Sequence, residues 1–145
     1  MNEYPNETLL KFGYPKTLVK EYSHWAILVR LQQVSLGSLV LVSKNDSTSF
    51  SGIPQDAFTE LHQVVNDIER NLKKKFEYDK INYLMLMMID PHVHYHVIPR
   101  YSTPRNFLAH DISDNGWPAQ ADLSHFIELT DIELETLILV LHEDW

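Results

Sequence analysis

Residues 91–100, Pro-His-Val-His-Tyr-His-Val-Ile-Pro-Arg, constrain the fold of this chain more than any other stretch. Three histidines alternate with apolar or aromatic residues. Alternation is the pattern of a β-strand, whose successive side chains point to opposite faces. His92, His94 and His96 therefore share one face, and Val93, Tyr95 and Val97 share the other. The apolar side packs into a core, which leaves three imidazoles in a row along an open face. Pro99 closes the run, because proline cannot donate to a sheet ladder.

Such a row admits three readings. The first is a polar strand face whose histidines bond to their neighbours. The second is a metal site. Side chains two apart on a strand are roughly 6.6 Å apart at the backbone, and the outer pair roughly 13 Å. Zinc holds its nitrogen ligands at about 2.0–2.1 Å, so an adjacent pair can share one ion, and all three can do so only on a strongly bent strand. The third is nucleophilic catalysis. Imidazole titrates at about pH 6.5, which leaves a neutral fraction at neutral pH, and histidine is among the side chains that form covalent intermediates. In that reading His94 attacks, while His92 and His96 orient it and stabilise charge.

The 145 residues fit one domain, 1–145, with an N-terminal extension (1–21), a core (22–100) and a C-terminal loop and helix (101–145). The formal net charge is −8. An acidic chain is a poor non-specific binder of nucleic acid, which requires Lys and Arg to neutralise phosphates. It still has room for a small nucleotide held by local groups. The absence of cysteine excludes a disulfide framework, a thiolate metal site and a Cys-type zinc finger. Residues 1–14 carry acids and Pro5 but no apolar signal core. The most apolar run, residues 84–89, falls far short of the about 20 residues of a membrane span. These features point to a soluble, cytoplasmic protein without a membrane or nucleic-acid partner.

Along the chain, Asn6 and Gly13 bracket a short helix as cap and stop, with Leu9, Leu10 and Phe12 as core contacts. Residues 17–22 and 24–31 read as strands rich in Val, Ile, Tyr and Trp, residues 32–37 as a connection, and residues 38–43 as a third strand of an antiparallel meander. Pro54 suits a first helical position. After it, Phe58, Leu61, Val65, Ile68 and Leu72 form one apolar stripe, the mark of a long helix lying on a sheet. Lys73, Lys74 and Lys75 complement the dipole at its end. Residues 82–88 read as an apolar strand with Met85, Met87 and Met88 as core filler, and Asp90-Pro91 links it to the histidine strand. Residues 101–122 are rich in turn formers, and Trp117 anchors that loop. Thr130 and Glu133 fit a capping box opening a last helix.

The run from His92 to Arg100 resembles the His-φ-His-φ-His-φ-φ pattern of the histidine-triad nucleotide hydrolases and transferases. The likeness extends more weakly over residues 22–100. It is closer to the hydrolase branch, because the third position is His96 and not the glutamine usual among uridylyltransferase-like members. The resemblance implies an α+β fold: a five-stranded antiparallel sheet with a long helix packed on it, paired into a homodimer with a continuous sheet. It also implies catalysis without a cofactor or metal. His94 would attack the α-phosphorus of a nucleoside phosphate, forming a nucleotidyl-histidine that water then releases, with His92 and His96 as donors to the phosphate.

Two departures bear on the substrate. Many members carry a longer loop with Gly-Gln-Ser/Thr before the triad, whereas residues 87–91 here are too short to hold it. The proton donor to the leaving group is therefore open among Asp90, Ser102 and His110. Members also often place Asn or Asp on an early strand to hold the ribose hydroxyls, and Arg30 occupies that register. Arg100 and Arg105 lie close enough in sequence to attract phosphate. The sequence thus predicts a nucleotide hydrolase acting on a diadenosine polyphosphate or nucleoside phosphoramidate. Its rivals are a weakly catalytic nucleotide-binding regulator and a metal-dependent hydrolase using His92 and His94.

Overall fold

The computed structural model describes residues 4–145, so Met1–Glu3, the first part of the stretch read for a signal core, lie outside the described residues. The architecture is α+β, as expected. Five antiparallel strands form one sheet in the order β1 (Leu18–Glu21), β2 (Trp25–Val29), β4 (Leu39–Ser43), β6 (His94–Arg100), β5 (Lys80–Leu84). The first three strands form the expected meander. The histidine strand β6 then slots between β4 and β5, which makes it an interior strand with β5 at the edge. β2 and β4 are buried at every position, because both faces of the sheet are covered. Their near-continuous apolar runs follow from that double burial.

One face is covered by α2 (Gln55–Phe76). Its buried stripe is Ala57, Val64, Ile68, Leu72 and Phe76. The helix is therefore turned slightly from the stripe read in the sequence: Phe58 and Leu61 are only partly buried against the core. The small Ala57 lets the helix approach Trp25, whose Nε1 donates to the Ala57 carbonyl at 2.8 Å. Pro54 stands at the N-cap, just outside the first turn. α3 (Asp131–His142) opens on the expected capping box of Thr130 and Glu133. Beyond its end, Glu143 and Asp144 pair with Lys75 at 3.1 and 2.8 Å, so the basic cluster of α2 is partly neutralised.

The opposite face carries the histidines. There α1 (Glu7–Lys11) lies across the sheet, with Leu9 fully buried against Ala26, Leu28, Val40 and Val42. Leu10, expected in the core, points outward. Asn6 caps α1 by accepting from the Leu9 amide at 2.9 Å, and it staples the helix to the sheet by donating to the Ser43 carbonyl at 2.8 Å. The connection after β2 contains a short strand, β3 (Gln32–Gln33), which pairs with β9 (Ile127–Glu128). Gly37, at φ +88°, allows the tight turn into β4. The stretch read as an irregular loop after β6 contains a small hairpin of β7 (Arg105–Phe107) and β8 (His110–Ile112). β5 ends at Leu84, earlier than expected. Met85 and Met87 pack against the core, whereas Met88 is 86% exposed. Among the described residues no helix is long and apolar enough to cross a membrane.

Candidate active site

The register of β6 fixes which residues meet. His94 pairs with Val42 and His96 with Val40, on the sheet face away from α2, while Tyr95 pairs with Leu41 on the α2 side. The alternation of the sequence is thus expressed as expected for these residues. His92 precedes the strand. The chain bends there, which brings its carbonyl back to the His94 ring: His94 Nδ1 lies 2.7 Å from the His92 oxygen. A carbonyl only accepts, so Nδ1 carries the proton and Nε2 keeps a lone pair. The backbone therefore sets the tautomer that a nucleophile needs.

His96 is held differently. Its ring stands nearly perpendicular to His94, with centroids 5.2 Å apart. Arg30, reached from the end of β2, donates Nε–H to His96 Nδ1 at 3.4 Å. Burial, then the Arg30 charge and His94, hold the His96 imidazole down to about 4. His96 is therefore neutral at neutral pH. His92 is anchored by Thr8 of α1: the hydroxyl lies 3.0 Å from Nδ1 and accepts the His92 amide at 3.2 Å.

Phe12, at the end of α1, covers the triad from above, with its ring 5.7 Å from His94 and 5.8 Å from His96. His94 is 2% exposed and His96 7%. Lys11 pairs with Asp90 at 2.6 Å, tying α1 to the link that precedes the triad. Beside this cover, Lys11, Phe12, Arg30, Leu31, Gln32 and Glu128 line a cavity of about 210 Å³. A larger hollow of about 300 Å³ beside β8 and β9 contains no member of the triad.

Of the residues singled out in the sequence, His92, His94, His96, Arg30 and Asp90 are brought together. Arg100 and Ser102 are not. Arg100 shares the histidine face but lies six residues along the strand, roughly 20 Å from His94. Its guanidinium is engaged by Asp114 at 2.7 and 3.0 Å, Asn82 and the Ala119 carbonyl. Ser102 bonds Asp79 at 3.0 Å. His110 contacts Glu133 at the start of α3. Arg105 stacks on Tyr101 and bonds the carbonyls of Phe76 and Glu77. Sequence reading missed Thr8, Lys11, Phe12 and Glu128. Thr8 and Phe12 are four apart on a helix and share a face, so the signal was present in the spacing. Glu128 arrives through a two-residue ladder, which has no periodicity to read. Among the described residues no group of three or more His, Asp or Glu side chains is arranged to hold a metal ion.

A model of the HIT domain family matches residues 12–103, more than half of the chain. No curated protein matches it in sequence. Among solved structures, a histidine triad protein from Bradyrhizobium japonicum superposes with a TM-score of 0.75 at 18% identity, covering 99% of this chain and 98% of that one. A histidine triad protein from Sinorhizobium meliloti does so with a TM-score of 0.75 at 20% identity, covering 97% and 95%. The diadenosine triphosphate hydrolase of Plasmodium falciparum gives 0.64 at 11% identity, covering 89% and 76%.

Proposed function

The chain belongs to the HIT domain family, and from that premise we propose that it is a nucleotide hydrolase that works through a covalent intermediate on His94. The observation that carries this reading is the 2.7 Å contact of His94 Nδ1 with the His92 carbonyl, which leaves the Nε2 lone pair for attack. In the first step that lone pair forms a P–N bond to the α-phosphorus. The bond from phosphorus to the leaving oxygen or nitrogen breaks, its electron pair leaves with that atom, and the leaving group takes a proton from water. His94 is then an imidazolium, substituted by phosphorus at Nε2 and by hydrogen at Nδ1. The His92 carbonyl stabilises this cation, as a fixed acceptor does for charge that develops during reaction. In the second step water attacks phosphorus and loses a proton, the P–N bond breaks, and the ring recovers its lone pair. The net change is hydrolysis, with no proton gained or lost by the protein.

His92 and His96 are the donors nearest the phosphate oxygens. The cavity of Phe12, Arg30 and Glu128 is the space for the nucleoside, with the Phe12 ring as a stacking surface. Dinucleoside polyphosphates and nucleoside phosphoramidates are the substrate classes, in line with the neighbour that is a diadenosine triphosphate hydrolase. The homodimer is part of the same proposal. A binding regulator with little turnover is the second reading, and the close cover of Phe12 over the nucleophile favours it.

Release of adenosine monophosphate from both substrate classes, with chelator present, separates these readings. Turnover by the wild type that falls at least about a thousandfold in His94→Ala supports the covalent mechanism. Turnover that survives the substitution refutes it. Nucleotide binding with no turnover in the wild type selects the regulator.

A further inference from the structure

We infer that Arg30 is a positioning residue for the triad: by donating Nε–H to His96 Nδ1 it fixes the ring proton of His96 on Nε2, as a donor for the phosphate. The role rests on the reading that the phosphate sits at His94, but the tautomer itself does not.

Three observations carry it. First, a guanidinium has five N–H donors, no acceptor, and does not deprotonate in proteins. Whatever nitrogen meets it at hydrogen-bond range must be an acceptor. His96 Nδ1 meets Arg30 Nε at 3.4 Å, so in the neutral ring the proton has only Nε2 to occupy. Second, Arg30 is itself held. Its Nη1 donates to the Gln32 carbonyl at 2.6 Å, and no carboxylate of the described residues pairs with it. Third, the neighbouring ring is set in the opposite sense by a group that can only accept, the His92 carbonyl. The two imidazoles, with centroids 5.2 Å apart, thus carry unlike atoms at Nε2: a lone pair on His94 and an N–H on His96. A nucleophile and a donor to the phosphate oxygen require that pairing. An asparagine in place of Arg30 can present either its oxygen or its nitrogen to the ring and does not impose it.

The charged and titratable groups that face His96 are Arg30 from the end of β2, His94 on its own strand, and Asp90 from the preceding link, where Lys11 of α1 offsets the carboxylate. Burial, then the Arg30 guanidinium, oppose a proton on the ring, so His96 stays a neutral donor through the acid range down to about pH 4.

Nitrogen-15 NMR of the full chain, labelled at histidine, reads each tautomer and its titration without any turnover. The expected wild-type pattern is protonated Nε2 on His96 and protonated Nδ1 on His94. In Arg30→Met, His96 should become a mixture of tautomers and titrate at higher pH, while His94 keeps its pattern. Arg30→Lys, again a donor without an acceptor, should restore the Nε2–H form. A wild-type His96 protonated at Nδ1 overturns the inference outright, even if the variants do not fold. An unchanged His96 in Arg30→Met overturns it as well. In the turnover assay Arg30→Met should lower kcat/KM and Arg30→Lys should recover it. Absence of all turnover with the NMR pattern intact refutes the hydrolase reading and leaves the positioning role standing.

Discussion

His96 shows how one buried ring couples the site to stability. In the unfolded chain its imidazole binds a proton near the ordinary 6.5, and in the folded chain only near 4. Between those values the unfolded state holds more protons than the folded one, so stability rises with pH across the window. The contribution is full above pH 6.5 and is lost as the pH falls to about 4. At 1.36 kcal/mol per unit the gap corresponds to about 3 kcal/mol. Urea denaturation of wild type and His96→Gln, repeated from pH 7 to 4, isolates this part from the other titrating groups. The wild type should lose about 3 kcal/mol more than the variant over that range. Parallel pH dependences in the two proteins would show that the folded ring accepts a proton as easily as the unfolded one. That outcome is incompatible with the desolvated, cation-flanked environment of His96.

At the scale of elements, α1 turns the triad from an open strand face into a covered site. The helix is short, 5 residues, and a helix of that length has no independent stability. It persists because Asn6 caps it and bonds the Ser43 carbonyl, and because Leu9 is sunk among Leu28, Val40 and Val42. Asn6→Ala removes the cap and leaves the Ser43 carbonyl without that partner, at a cost of about 1–3 kcal/mol. Because α1 carries Thr8 to His92 and Phe12 to both other rings, the same substitution should lower kcat/KM by roughly tenfold in the adenosine monophosphate assay. Lost stability with unchanged kcat/KM would mean that the cover plays no part in turnover. The helix itself was legible, since Asn6 and Gly13 bracket it in the sequence. Its role was not, because Phe12 reads as an ordinary core residue until the sheet places His94 beneath it. The capping box of α3 and the stripe of α2 were legible for the same reason as α1: local spacing determines both. The small turn of the α2 stripe was not, because it depends on Trp25 reaching the Ala57 carbonyl from another element.

For the molecule as a whole, the histidine face is closed at one end by α1 and at the other by the chain after β6. Alternation in residues 92–97 was enough to place His94 and His96 on one face. It carried no information about strand order, so Arg100 and Ser102 seemed close to the triad although β6 carries them to the far end. At that end Arg100 is engaged in a buried ion pair. Its side chain, 5% exposed, meets an Asp114 side chain with no exposure, and the pair ties the C-terminal segment to the sheet. Removing one partner of a buried pair leaves an uncompensated charge, which costs about 3–5 kcal/mol. Asp114→Asn should therefore lower Tm by on the order of 10 °C. Arg100→Met should cost a similar amount, because it strands the Asp114 carboxylate. The double variant has no stranded charge, so its loss should be smaller than the sum of the singles by at least about 1.5 kcal/mol. Strictly additive losses would show that Arg100 acts through Asn82 and the Ala119 carbonyl alone. Because the pair lies roughly 20 Å from His94, kcat/KM measured well below Tm should change less than threefold in all three variants. This separates a clasp on the fold from a residue of the site.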